Sequence, residues 1–229
     1  MKKIFTLIVM AVMALGANAQ KYYFQEGDVA SDGKLDGKVY ADGFVKLVDP
    51  VGKMVIEANN AYFGDADTQT KFTHRLKSGG KSQAAETKLN QIELAIAEAG
   101  TLKIYVRTGS NSATDRNLVV TQGESKLYDA VVKESDAIKV KGLDKADPDK
   151  ETNIYPVVTV AVAAGKVVLT YPTGSLNFYG FEAANGATAI QTVKAAQAND
   201  GAVYNLAGQK VGNDFKGIVI KDGKKMLQK

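Results

Sequence analysis

The chain has 229 residues, 29 of them basic and 25 acidic, with one histidine, no cysteine and no tryptophan. Disulfides and thiol chemistry are therefore excluded, and a zinc site, which normally draws on several Cys or His ligands, has no donor set. The formal charge of +4 is an end effect. Lys2 and Lys3 open the chain, and six lysines against Asp214 and Asp222 follow residue 200, so residues 20–200 carry 21 basic against 23 acidic residues. A body of that balance lacks the basic working surface of a nucleic-acid binder.

The first 19 residues read as a signal peptide. Lys2-Lys3 is a basic start, residues 4–15 are apolar, and Ala17-Asn18-Ala19 is a small-x-small cleavage site. The apolar run is about 12 residues, against the ~20 that a spanning helix needs. The mature chain is expected to begin at Gln20. No cysteine follows, so lipid attachment as a lipoprotein is excluded, and no later segment is apolar enough to cross a membrane.

Many Gly, Val, Thr and Tyr, few Pro and frequent turn pairs point to an all-β body. Residues 44–48 and 54–58 are two strands joined by the turn Asp49-Pro50-Val51-Gly52. Residues 72–77 alternate, with Phe72, His74 and Leu76 on the inward face. Residues 82–99 are rich in Ala, Glu and Gln, which favours helix. Yet Ile92, Leu94 and Ile96 alternate with Glu93 and Ala95, so residues 89–97 are expected as a strand. Residues 101–107 are the clearest strand: Leu102, Ile104 and Val106 against Lys103, Tyr105 and Arg107. Residues 157–162 and 167–171, separated by Ala163-Ala164-Gly165-Lys166, are expected to form a hairpin. Residues 176–182 close the body. No internal repeat is visible.

The stretch from 183 to 200 is poor in large apolar residues, and 185–200 is expected as a linker. Beyond it, residues 203–206 and 209–211 flank a turn at Ala207-Gly208. Two further apolar runs flank Asp222-Gly223, a strong hairpin signal because both turn residues must tolerate positive φ. The tail's Tyr204-Asn205-Leu206-Ala207-Gly208-Gln209-Lys210-Val211, followed by Lys216-Gly217-Ile218, resembles the C-terminal sorting domain of proteins exported by the type IX secretion system of Bacteroidota. The resemblance implies export through that machinery, to the cell surface or beyond. Its motif residues are Tyr204, Asn205, Leu206, Gly208, Gln209 and Gly217.

A second resemblance runs through the body. Phe72-Thr73-His74-Arg75-Leu76-Lys77-Ser78-Gly79-Gly80, Lys103-Ile104-Tyr105-Val106-Arg107-Thr108-Gly109-Ser110, Thr114-Asp115-Arg116-Asn117-Leu118 and Leu176-Asn177-Phe178-Tyr179-Gly180-Phe181 occur in one order. Over residues 22–184 they resemble the β-sandwich module attached to secreted Bacteroidota pectate lyases and related polysaccharide-degrading enzymes. The resemblance implies a galactose-binding-like jelly roll over 20–184 and a non-catalytic role in binding carbohydrate. No lyase or hydrolase domain accompanies the module in this chain.

Arg75, Lys77, Lys103, Tyr105 and Arg107 share outward parity on two strands, and Asp115-Arg116 lies in the loop beyond. On one sheet face they would form a basic, aromatic-bearing surface suited to an acidic polysaccharide. The plainer account is a solvated strand face, with an Arg–Asp pair pinning a loop. The candidate ligand-binding residues are thus Arg75, Lys77, Tyr105, Arg107, Asp115 and Arg116. His74 reads as a core residue. Asp65-Ala66-Asp67, Asp147-Pro148-Asp149 and the segment from Asp32 to Gly37 read as turn acids rather than calcium ligands. No Gly-x-Ser-x-Gly, His-Glu-x-x-His or phosphate loop is present, and no cofactor is expected. A structural or adhesive surface protein with a protein partner is the alternative, and a small carbohydrate-active enzyme with paired acids ranks below it.

Overall fold

Alternation of apolar and polar residues governs the body. A computed structural model describes residues 19–30, 32–85, 88–144, 146–185, 203–205, 210–212, 216–221 and 224–228. The first compact unit contains β1 (Gln20–Tyr23), β2 (Val39–Tyr40), β3 (Val45–Val48), β4 (Val55–Gly64), β5 (Gln69–Lys77), β6 (Ala84–Ala85), β7 (Lys88–Leu89), β8 (Gln91–Ile96), β9 (Gly100–Thr108), β10 (Asn117–Gln122), β11 (Ser125–Val131), β12 (Ile138–Val140), β13 (Thr152–Tyr155), β14 (Val158–Val162), β15 (Gly165–Thr170) and β16 (Leu176–Asn185). A second unit contains β17 (Val203–Asn205), β18 (Lys210–Val211), β19 (Gly217–Lys221) and β20 (Lys224–Gln228).

The body is an all-β sandwich. One sheet runs β12-β13-β4-β5-β16-β9-β14, with β1 also on β16; the other runs β11-β10-β15-β8-β3-β2. Within them, β5-β16-β9-β14 faces β8-β15-β10-β11, and all neighbours in these two sets are antiparallel. Apart from the β10–β11 hairpin, each successive strand of the eight changes sheet, which is jelly-roll connectivity. Leu94, Ile104, Val106, Val120, Leu169 and Phe178 are among the fully or nearly fully buried residues between the sheets.

The residues expected as a strand at 89–97 form β8, with the short β6–β7 pair just before it. Sheet context thus outweighs the helical propensity of its Ala and Glu. One expected connection differs. Residues 157–162 and 167–171 do not form a hairpin: β14 pairs with β9 and β15 with β8 and β10, in opposite sheets. Val160 and Val162 enter the same core as Val167 and Leu169 from the other side. Period-2 alternation looks identical for a hairpin and for a corner that turns both strands toward one core. Gln122 of β10 clamps this corner, its Nε2 donating to Ala163 O at 2.8 Å and its Oε1 accepting from Ala163 N at 2.9 Å.

The turn at Asp49 to Gly52 does form, with Gly52 N donating to Asp49 O at 3.0 Å. It joins β3 to β4 across the sandwich. Asp49 is buried, and its carboxylate accepts from Lys53 N (3.0 Å), Met54 N (2.8 Å) and Asn90 Nδ2 (2.8 Å). Three donors offset the cost of removing this acid from water.

His74 is not a core residue. The register of β4 against β5 shifts between Ala58 and Ala61. Ala58, opposite His74, is exposed, and His74 is half-buried with Nδ1 3.0 Å from Thr73 Oγ1. Beyond this point Ala61, Phe63 and Phe72 leave the main core and join Tyr105, Tyr155 and Tyr179 in a second cluster. Tyr105 lies between Ile104 and Val106 of the main core, so its side chain occupies the opposite face of the sheet. The far half of the β4–β5 hairpin therefore covers the outer face of the larger sheet.

In the second unit, β18-β17-β19-β20 form one sheet, and β19 pairs with β20 in antiparallel register up to Lys221 opposite Lys224, as the expected hairpin requires. Tyr204, Asn205 and Gly217 lie on β17 and β19. Leu206, Gly208, Gln209, Asp222 and Gly223, residues 1–18 of the expected signal peptide and residues 186–200 of the expected linker lie outside the described residues. Among the described residues no helix is long and apolar enough to cross a membrane.

The second cluster bears on stability as well as shape. Phe72 is 2% exposed, and its ring centre lies 4.8 Å from that of Tyr105 and 5.4 Å from that of Phe63. Phe72→Ala is expected to lower unfolding free energy by ~3–5 kcal/mol, as in a main core. Denaturant unfolding checks this, and a change below ~1 kcal/mol would contradict burial of that face.

Candidate functional site

The cations expected on an open face do share one. β16 lies between β5 and β9, and Asn177 faces Lys77 on one side and Arg107 on the other. Each cation nevertheless meets a carboxylate. Arg75 donates to Glu57 Oε1 from Nε at 3.0 Å and from Nη2 at 2.6 Å, while Lys77 Nζ is 3.5 Å from Glu57 Oε2. Lys103 Nζ is 3.8 Å from Glu182. Tyr105, expected as an exposed platform, is 4% exposed beneath Phe63, Phe72 and Tyr23. An aromatic side chain on the outer face is covered because the hairpin folds over it. Among the described residues this face thus has its cations in ion pairs and its aromatic ring covered, while Lys77 and Lys103 stay 44% and 47% exposed.

Asp115 and Arg116 sit elsewhere, around the loop that enters β16. Arg116 Nη1 donates to Thr173 O at 3.0 Å, its Nε is 3.6 Å from Asp115, and Asn117 N donates to Thr173 Oγ1 at 2.7 Å. Arg116 packs so closely on Gly174 that a Cβ there would overlap its guanidinium. Nearby, Ser78 N donates to Leu176 O and Gly109 N to Ser175 O, both at 3.0 Å. The four sequence segments that carry the body's resemblance thus meet at residues 173–176. Here Arg116 pins a loop.

Of the six candidate residues, Tyr105 borders one large cleft and Arg107 lines another. The Arg107 opening, of about 920 Å³, lies between β4, β13 and residues 143, 144, 146 and 150–152, with Asn60, Tyr62, Lys71, Arg107 and Asn153 on its walls. The parallel pairing of β13 with β4, Ile154 opposite Tyr62 and Tyr155 opposite Phe63, brings these elements together. Arg107 lies over the Tyr155 ring at 4.8 Å, and its Nη2 donates to Asn111 Oδ1 at 3.1 Å. Glu134 opens the short 3-10 turn Glu134–Asp136 and accepts from Tyr155 OH at 2.6 Å and Asn153 Nδ2 at 3.1 Å. Burial, with the Glu134 hydrogen bond, pushes the Tyr155 hydroxyl up to about 12, so it stays a donor. Tyr62 is half-buried with Lys71 Nζ 5.8 Å from its ring centre. A half-exposed ring, two amides and a guanidinium fork in one concave opening can seat a polar, ring-shaped ligand.

Sequence reading missed Tyr62, Asn153, Tyr155 and Glu134. The alternation of Asn153-Ile154-Tyr155 before Pro156 was the available signal for β13. Nothing local tied it to β4.

A second opening of about 710 Å³, with Asp65, Gln69, Lys103 and Asp136 on its walls, lies on the other side of β13. Asp65, Asp147 and Asp32 serve turns: Asp65 N donates to Thr68 O, Lys150 N to Asp147 O, and Asp32 Oδ1 accepts from Lys34 N. Among the described residues no group of three or more His, Cys, Asp or Glu is placed to hold a metal ion.

No family model matches the chain, and no curated protein matches it. Among solved structures, it is similar to a chain from the Ruminococcus flavefaciens cellulosome, described in connection with an expansion in glycan recognition. That likeness has a TM-score of 0.37 and 12% identity, over 74% of this chain and 95% of that one. It is also similar to the catalytic domain of a GH87 alpha-1,3-glucanase in complex with nigerose, at a TM-score of 0.32 and 8% identity. This covers 62% of the present chain and 28% of the glucanase chain. Likenesses at this level carry nothing about function.

The ion pairs on the sheet face have a pH signature. Burial opposes ionisation of Glu57, but hydrogen bonds and charge from Arg75, then Lys77, outweigh it and hold its carboxyl below the usual range. A depressed carboxylate stabilises the fold above its unfolded pKa and loses that contribution as pH falls through the folded one. Glu57→Gln is expected to lower the melting temperature at pH 7, with the gap to wild type closing toward about pH 3. A gap independent of pH would show that the pair contributes through packing alone.

Proposed function

We propose that this protein is a non-catalytic carbohydrate binder of the cell surface or extracellular space, with its ligand seated in the cleft of Tyr62, Arg107 and Asn153. The observation that carries the reading is the cleft itself. It combines a half-exposed aromatic ring with amide and guanidinium hydrogen-bonding groups held by β4, β9 and β13. Sugar rings present apolar C–H faces and a rim of hydroxyls, which such a set matches. Ion pairing of Arg75, Lys77 and Lys103, with the burial of Tyr105, weakens the case for an acidic polysaccharide on the sheet face. The adhesive alternative has less support: among the described residues of the body, the exposed large apolar side chains Val29, Val39, Val55, Leu89 and Ile138 lie on separate segments.

Titration of the full chain against soluble plant and bacterial polysaccharides tests the reading. Tyr62→Ala is expected to weaken binding about tenfold through lost stacking, with little change in melting temperature. Unchanged affinity would move the ligand away from this cleft. Failure to bind any polysaccharide would reject the function.

Export belongs to the same proposal. The tail motif and its separate unit support delivery by the type IX machinery. Removing residues 201–229 is expected to hold the protein in the periplasm. Undiminished surface or medium levels of the shortened chain, measured by fractionation, would contradict that route.

A further inference from the structure

We infer that Glu134 sets the charge preference of the cleft and reserves it for uncharged, hydroxyl-bearing glycans; this rests on the glycan-binding reading. Arg107 is the cleft residue best suited to a ligand carboxylate. Its Nη2 lies 3.9 Å from Glu134 Oε2, and both side chains are largely shielded from water at 16% and 18% exposure. The anionic demand of the guanidinium is thus met from within the protein, where screening is weak. A uronate approaching Arg107 meets the Glu134 charge immediately behind it.

The hydrogen-bond inventory points the same way. Arg107 Nε and Glu134 Oε2 are both buried without a hydrogen-bond partner. One is a donor and the other an acceptor. Both atoms are shut away from solvent, so Glu134 acts as a fixed negative charge behind Arg107 rather than as a ligand contact. Glu134 is fixed in place through its other oxygen, Oε1, by Tyr155 OH and Asn153 Nδ2. Of the other described ionic groups on this wall, Lys150 pairs with Asp144 at 3.0 Å, Glu151 pairs with Lys139 at 3.2 Å, and Lys71 lies over the Tyr62 ring at 5.8 Å. Glu134 therefore acts as a positioning and selectivity residue.

Oligosaccharide pairs that differ only by a carboxylate at C6, such as galactose and galacturonate or glucose and glucuronate trimers, provide the test. The wild-type chain is expected to prefer the neutral member. Glu134→Gln keeps an acceptor for Tyr155 and Asn153 but removes the charge, and should shift the uronate-to-neutral affinity ratio upward about tenfold. Combining it with Arg107→Gln should return the ratio to the wild-type value. If Glu134→Gln does not fold, Arg107→Gln alone reads the same pair, because the uncompensated Glu134 then lowers the ratio further. A wild-type preference for uronates, or a ratio unmoved by these variants, overturns the inference and leaves glycan binding standing. Binding of neither member by any variant overturns both.

Discussion

The burial of Tyr105 is the constraint on which the rest of this structure depends. Its neighbours Ile104 and Val106 fill the space between the sheets, so Tyr105 must lie on the other face of β9. A large sheet face with Tyr105, Tyr179 and Tyr23 on it cannot be left in water without losing several kcal/mol of burial. The protein answers with a second layer. The far half of the β4–β5 hairpin supplies Phe63 and Phe72, and β13 supplies Tyr155. Asn59, in the β4 irregularity, accepts from Tyr179 OH at 2.5 Å and anchors the layer. The clefts follow from this cover, because strands laid over a sheet leave openings at their margins.

Polar side chains organise the points where the chain changes sheet. Asp49 collects donors from the segment entering β4 and from Asn90 before β8. Gln122 reaches from β10 to close the β14–β15 corner. Arg116 and Thr173 fasten the loop into β16. Each satisfies backbone groups that a sheet ladder has just abandoned; at Asp49, where such a group is buried, leaving it unsatisfied would cost more than a hydrogen bond contributes.

Charge on the outer face is also arranged by neighbours distant in sequence. Glu57 sits opposite Arg75 on the paired strand, and Glu182 opposite Lys103. Such partly exposed pairs add little stability. They matter because each sets a negative charge beside a cation that would otherwise attract an anionic ligand, and Glu134 does the same for Arg107 behind the cleft.

The all-β class, most strand positions of the body, the turn at Asp49 and the pairing of β19 with β20 were legible from sequence, because period-2 alternation and turn chemistry are local properties. Arg107 was legible as a candidate for the same reason, from its outward parity on the clearest strand. Parity names two faces but does not say which are covered, so Tyr105 read as exposed and His74 as buried. Nor does it say whether two adjoining strands pair or cross the sandwich, so β14 and β15 read as a hairpin. The carboxylate partners of Arg75 and Arg107, the union of β13 with β4 and the cleft between them are contacts between remote segments. Tertiary packing decided these, since only the closed jelly roll and its outer layer bring those segments into contact.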